Sequence, residues 1–155
     1  TTSIERVLKK KDFIKDFKIK KIYPNKIKIM VFEKKPIFIL QQKKKKFYID
    51  ENINLIRYLE LEDFNNLPVV FGKKENFRIF YQNLKKMNFQ FYLIKNYYFF
   101  ESNRWNLETY EKKIIKLPTE NYIESLKNFI KLQKTNDFKK FKIFDYRMNN
   151  QLILK

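Results

Sequence analysis

Apolar and charged residues alternate with a period of two along much of this chain, and that period constrains the fold more than any other feature. In "FKIKKIYPNKIKIMVF", residues 17–32, Phe17 and Ile19 alternate with lysines, and Ile27, Ile29 and Val31 do the same beyond Tyr23-Pro24-Asn25. Such alternation places successive side chains on opposite faces of a strand. The stretch therefore predicts a hairpin with a Pro-Asn turn, closed as a unit by Pro36. "IFILQQKKKKFYIDENINLIRY" predicts two short strands around a lysine loop at residues 43–46, then a turn at Asp50-Glu51-Asn52 and a further strand. "FQFYLI", "YYFFES" and "RWNLETYEKKIIKLP" continue the pattern. In the last of these, Trp105, Leu107 and Thr109 face one way before a turn at Glu111-Lys112 and a strand over 114–117.

Three segments switch to helical spacing. Residues 3–11 carry Ile4, Val7 and Leu8 on one face, with Ser3 as candidate cap. Residues 75–87 carry Phe77, Phe80, Tyr81 and Leu84 on one stripe. Beyond Pro118, Thr119 is a candidate N-cap for a helix bearing Ile123, Leu126, Phe129 and Ile130. "LPVVFG" (67–72) is expected to be a buried loop or strand in which Gly72 supplies a positive φ. The expected architecture is α+β: a small unit over residues 1–36, then a mostly antiparallel β domain with two helices over residues 37–155.

With no alanine and one glycine, the core must be built from Ile, Leu, Phe and Tyr. There is no cysteine and no histidine, which removes thiol nucleophiles, the usual zinc sites, Ser-His-Asp triads and imidazole acid-base work. A disulfide-stapled fold is excluded too. No apolar run approaches the ~20 residues that a spanning helix needs. No signal-peptide pattern begins at Thr1. "TTSIERVLKK" reads like the interior of a longer protein.

The net charge of +18 invites a partner that is nucleic acid or anionic membrane. Lysine far outnumbers arginine, however, and Asn, Ile, Phe and Tyr are inflated with it. These shifts favour A/T-rich codons, so genome composition accounts for the charge without an anionic partner. The basic-aromatic run "FYLIKNYYFFESNRW" could stack single-stranded bases. It reads more simply as hydrophobic strand, with Trp105 as a core anchor. A basic nucleic-acid-binding domain is the alternative reading. Glu60, Glu62 and Asp63 read as solvated charge, and Gly72 followed by "KKEN" lacks a phosphate-loop pattern. No catalytic residue, cofactor or metal is expected.

The chain closes on "FKIFDYRMNNQLILK": strands over 140–147 and 150–155, broken at Asn149-Asn150. A last strand often lies at a sheet edge, where unpaired backbone groups are available to a partner. Asp145 and Arg147 share one face. Two readings stay open: a surface salt bridge, or an arginine held ready for a partner's carboxylate.

In order along the chain, "YPNKIKIMVFEKKPIFIL", "FYIDENINLI", "LPVVFG", "RWNL", "IKLP" and "FDYR" resemble the periplasmic part of the FtsQ/DivIB cell-division family. The resemblance covers nearly the whole chain. It implies that residues 1–36 are the C-terminal part of a POTRA domain and residues 37–155 the family's β domain. The earlier POTRA strand and helix do not precede Thr1 in this sequence. Glu111-Lys112 stands where the family carries Asn or Gly, and Tyr146 replaces Leu between Asp145 and Arg147. The resemblance further implies a non-enzymatic scaffold of the divisome. That scaffold would be anchored upstream in the inner membrane by a single span, with this region in the periplasm. The implied partners are FtsB and FtsL, with other division proteins at the POTRA unit. They would bind by adding a strand to the C-terminal edge. Arg147 matches the family's arginine that meets a partner acid, and Met148, Asn150, Leu152 and Leu154 would flank or form that edge.

Overall fold

The computed structural model describes residues 3–155. Helix α1 (Ser3–Lys9) ends short of Lys11, and Ser3 lies within it rather than ahead of it as a cap. The alternation then becomes strand pairing. Strands β1 (Ile14–Ile22) and β2 (Lys26–Glu33) run antiparallel, with Phe17 opposite Val31 and Ile19 opposite Ile29. They form a two-stranded sheet of their own around a cis Tyr23-Pro24 peptide.

From Phe38 onward the chain builds a nine-stranded sheet. In chain order its elements are β3 (Phe38–Gln42), β4 (Lys45–Ile49), β5 (Leu55–Arg57), β6 (Val69–Phe71), helix α2 (Lys74–Lys86), β7 (Ile94–Phe100), β8 (Arg104–Thr109), β9 (Ile114–Lys116), helix α3 (Tyr122–Gln133), β10 (Ile143–Asp145) and β11 (Ile153–Leu154). The spatial order is β11-β10-β9-β8-β7-β6-β3-β4-β5. Pairing is parallel at β3–β6, β6–β7 and β9–β10 and antiparallel elsewhere in the sheet. Helices α2 and α3 lie in the crossovers that join the parallel pairs β6–β7 and β9–β10.

Both helices bury their apolar stripe. Phe77, Phe80, Tyr81 and Leu84 of α2 and Leu126 and Phe129 of α3 join Tyr97, Trp105, Leu107, Ile115 and Phe144 of the strands in one cluster. Aromatic rings fill the space that smaller residues would occupy in another composition. Phe80 stacks on Trp105 at 4.8 Å, and Phe129 meets Phe144 edge-on at 5.0 Å. Trp105 is thus a core residue, as read. A smaller cluster on other residues, Ile39, Tyr48 and Ile56, is covered by Phe13, Tyr58, Phe64 and Leu67.

Four local expectations need correction. Gly72 does not adopt a positive φ. Its role is steric: a Cβ there would lie 2.9 Å from Phe99 Cβ and 3.8 Å from the Trp105 ring. "FQFYLI" is not a strand throughout, because Phe91–Leu93 forms a 3-10 turn and pairing starts at Ile94. Thr119 does not cap α3; Asn121 precedes it in the left-handed region (φ 57°), which asparagine tolerates better than most residues. The lysine loop shrinks to Lys43-Lys44, since Lys45 and Lys46 already belong to β4. At the β8–β9 turn Lys112 takes φ 62°, the conformation for which Asn or Gly is the easier choice.

Candidate docking edge

Strand β10 lies between two neighbours. Ile143, Phe144 and Asp145 register in parallel with Ile114, Ile115 and Lys116 of β9, and β11 returns antiparallel on the other side. The reversal is local. Asn150 takes φ 55°, and the Gln151 amide donates to the Met148 carbonyl at 3.2 Å. That explains why the alternation breaks at Asn149-Asn150. Tyr146 closes the corner from inside, its hydroxyl donating to Asn128 Oδ1 on α3 at 2.8 Å. Burial raises its phenol pKa above the ordinary tyrosine range.

Strand β11 ends the sheet, so its outer side has no strand partner among the described residues. The ladder fixes which backbone groups face out. Ile143 and Lys155 exchange both amide-carbonyl bonds, at 2.9 and 3.1 Å. In an antiparallel pair such exchanges alternate. The Ile153 amide and carbonyl therefore point to β10, and those of Leu154 point away from it.

The side chains at this edge divide between its two faces. Leu152 and Leu154 are half-buried and pack against the core, so they anchor the strand from below. Ile153, on the opposite face, is 39% exposed and was not singled out from sequence. Period two would have identified it once Leu152 and Leu154 were assigned inward. Met148 is 56% exposed and Asn150 is exposed. Met148, Asn150 and Leu152 line one groove of about 320 Å³ with Glu124 and Asn128 of α3.

Asp145 and Arg147 form a two-pronged ion pair at this end of the sheet. Arg147 Nε donates to Asp145 Oδ1 at 2.8 Å, Nη2 donates to Oδ2 at 2.6 Å, and the Arg147 amide donates to Oδ1 at 3.1 Å. The side chain of Arg147 is 38% exposed, whereas Asp145 as a residue is only 8% exposed. The arginine's hydrogen bonds hold the Asp145 carboxyl below the usual carboxylate range, against a smaller upward push from burial. Of the two readings left open by the sequence, the salt bridge is present, and it occupies one edge of the guanidinium.

Elsewhere the chemistry is sparse. Among the described residues no group of three or more acidic, histidine or cysteine side chains could hold a metal. No helix among them is long and apolar enough to cross a membrane. Glu60, Glu62 and Asp63 are exposed on a loop and short 3-10 turn. In the basic-aromatic run of residues 91–105, Tyr97 and Trp105 are withdrawn into the core, 0% and 6% exposed, while Tyr92 and Phe100 stay exposed.

Comparison with known proteins gives a consistent result. The family described as cell division protein FtsQ/DivIB, C-terminal, matches residues 38–147. The cell division protein FtsQ of Rickettsia prowazekii (strain Madrid E) is 29% identical over 156 residues, covering 98% of this chain and 58% of that protein. The chain thus spans well under two thirds of that relative's length.

Proposed function

The chain belongs to the FtsQ/DivIB family of cell-division proteins, and on that premise we propose that it is a non-enzymatic scaffold of the divisome. Its docking site is the outer side of β11, where an extended segment of an FtsB- or FtsL-type protein adds a strand. The unpaired outer side of β11 carries this reading: the outward Leu154 backbone groups can continue the ladder. Arg147, Met148 and Asn150 lie beside that edge, and Arg147 would meet a carboxylate of the partner. Residues 1–36 would be the C-terminal part of a POTRA unit that receives other division proteins. Residues 37–155 would be the β domain, held in the periplasm by an inner-membrane span elsewhere in the protein.

Arg147→Glu is the direct test. Co-purification with the periplasmic segments of the organism's FtsB- and FtsL-type proteins should be lost, with the circular dichroism spectrum unchanged. Retained binding would discard the role of Arg147.

A further inference from the structure

We infer that Asp145 is a positioning residue for docking: it clamps Arg147 side-on so that the guanidinium's far end is presented to a partner carboxylate. The inference rests on the edge-docking reading above and adds to it a residue that touches no partner.

The geometry is specific. A guanidinium has five N–H donors in a planar fork. Asp145 takes the Nε and Nη2 donors along one edge. Both Nη1 hydrogens and the second Nη2 hydrogen remain; one Nη1 hydrogen and that Nη2 hydrogen form the end-on pair that matches a second carboxylate. The clamp is fixed to the sheet, because Asp145 is the last residue of β10, registered with Lys116 on one side and Ile153 on the other. Its burial keeps water from competing for the carboxylate, and the bond from the Arg147 amide to the same oxygen holds the carboxylate's orientation. A free arginine would lose much rotamer freedom on meeting a partner. Here the loss is taken during folding, before the partner arrives, which is how preorganisation raises affinity. Lys116 adds positive charge near Asp145, offsetting the repulsion between Asp145 and an incoming acid.

The test is a double-mutant cycle of dissociation constants against the same FtsB- and FtsL-type segments. Asp145→Asn keeps the shape of the side chain but removes its charge. It should weaken binding about tenfold in the wild-type background. In an Arg147→Ala background the same change should alter affinity by less than about twofold. An equal loss in both backgrounds would mean general damage to the edge and would overturn the positioning role. So would unchanged or tighter binding by Asp145→Asn alone. If Arg147→Ala itself has no effect, the assignment of Arg147 to docking fails first, a separate outcome. A measurement on the wild-type protein alone covers the case of a variant that does not fold. The Arg147 Nε–H should give a slowly exchanging NMR signal before any partner is added, and a rapidly exchanging one would overturn the clamp.

Discussion

The two sheets of this protein are spelled alike and fare differently. In the nine-stranded sheet the inward positions Tyr97, Leu107 and Ile115 are wholly buried. In the β1–β2 hairpin every residue of β2 is exposed. Ile27, Ile29 and Val31 share one hairpin face with Phe17 and Ile19, while Met30 and Phe32 take the other. A period of two determines that a strand forms and which residues share a face. It does not supply the layer that covers that face. Helices α2 and α3 cover the large sheet. Against the hairpin, α1 brings no buried residue. Only at its base, where Phe13 meets Tyr48 with ring centroids 6.0 Å apart, does this part of the chain join a buried cluster.

That contrast can be broken most directly by matched truncations. Phe77→Ala, at a position with no exposure and rings packed on several sides, should cost about 3–5 kcal/mol in urea unfolding. Ile29→Ala, 41% exposed, should cost less than about 1 kcal/mol. Similar costs at the two sites would mean that the hairpin face is covered in solution. A smaller effect sharpens the comparison within the large sheet. Gly72→Ala should lose about 1–3 kcal/mol through overpacking, because the nearest atom, Phe99 Cβ, is tied to the backbone and cannot swing aside. A neutral result would show that β6 and β7 can shift apart.

One expected change is a gain. The Tyr97 hydroxyl is buried with no hydrogen-bond partner. Tyr97→Phe should therefore stabilise by about 1 kcal/mol at neutral pH. Burial raises the Tyr97 phenol well above its ordinary value. Between the unfolded value near 10 and the higher folded value, the folded chain holds a proton that the unfolded chain releases. The tyrosine's contribution is therefore complete below about pH 10 and falls as pH rises beyond it. The advantage of Tyr97→Phe should widen in urea titrations above pH 10, and an advantage that narrows would contradict this burial.

Much of the edge is legible in the sequence alone. The alternation in residues 141–155 marked a strand pair, Asn149-Asn150 marked its turn, and the offset of two put Asp145 beside Arg147. Sequence does not tell which face of the last strand points inward, so the expectation that Leu152 and Leu154 flank or form the edge leaves open that their side chains pack on the core. The helical stripe of α2 was fully readable because four large apolar residues at helical spacing have one way to be buried together. The start of α3 was not, because Asn121 adopts a left-handed conformation that competes with the capping signal at Thr119.

By itself the sequence determined the period of each segment, the aromatic character of the core and the absence of histidine and cysteine chemistry. These are local or compositional, and no neighbour can alter them. Tertiary structure alone decided that β11 lies at the end of the sheet, that Gly72 is needed for its missing side chain, and that Asp145 holds one edge of Arg147. Each depends on which segments meet in space. Pairing between distant strands is settled by burying one face against α2 and α3, and no single stretch of the chain carries that information.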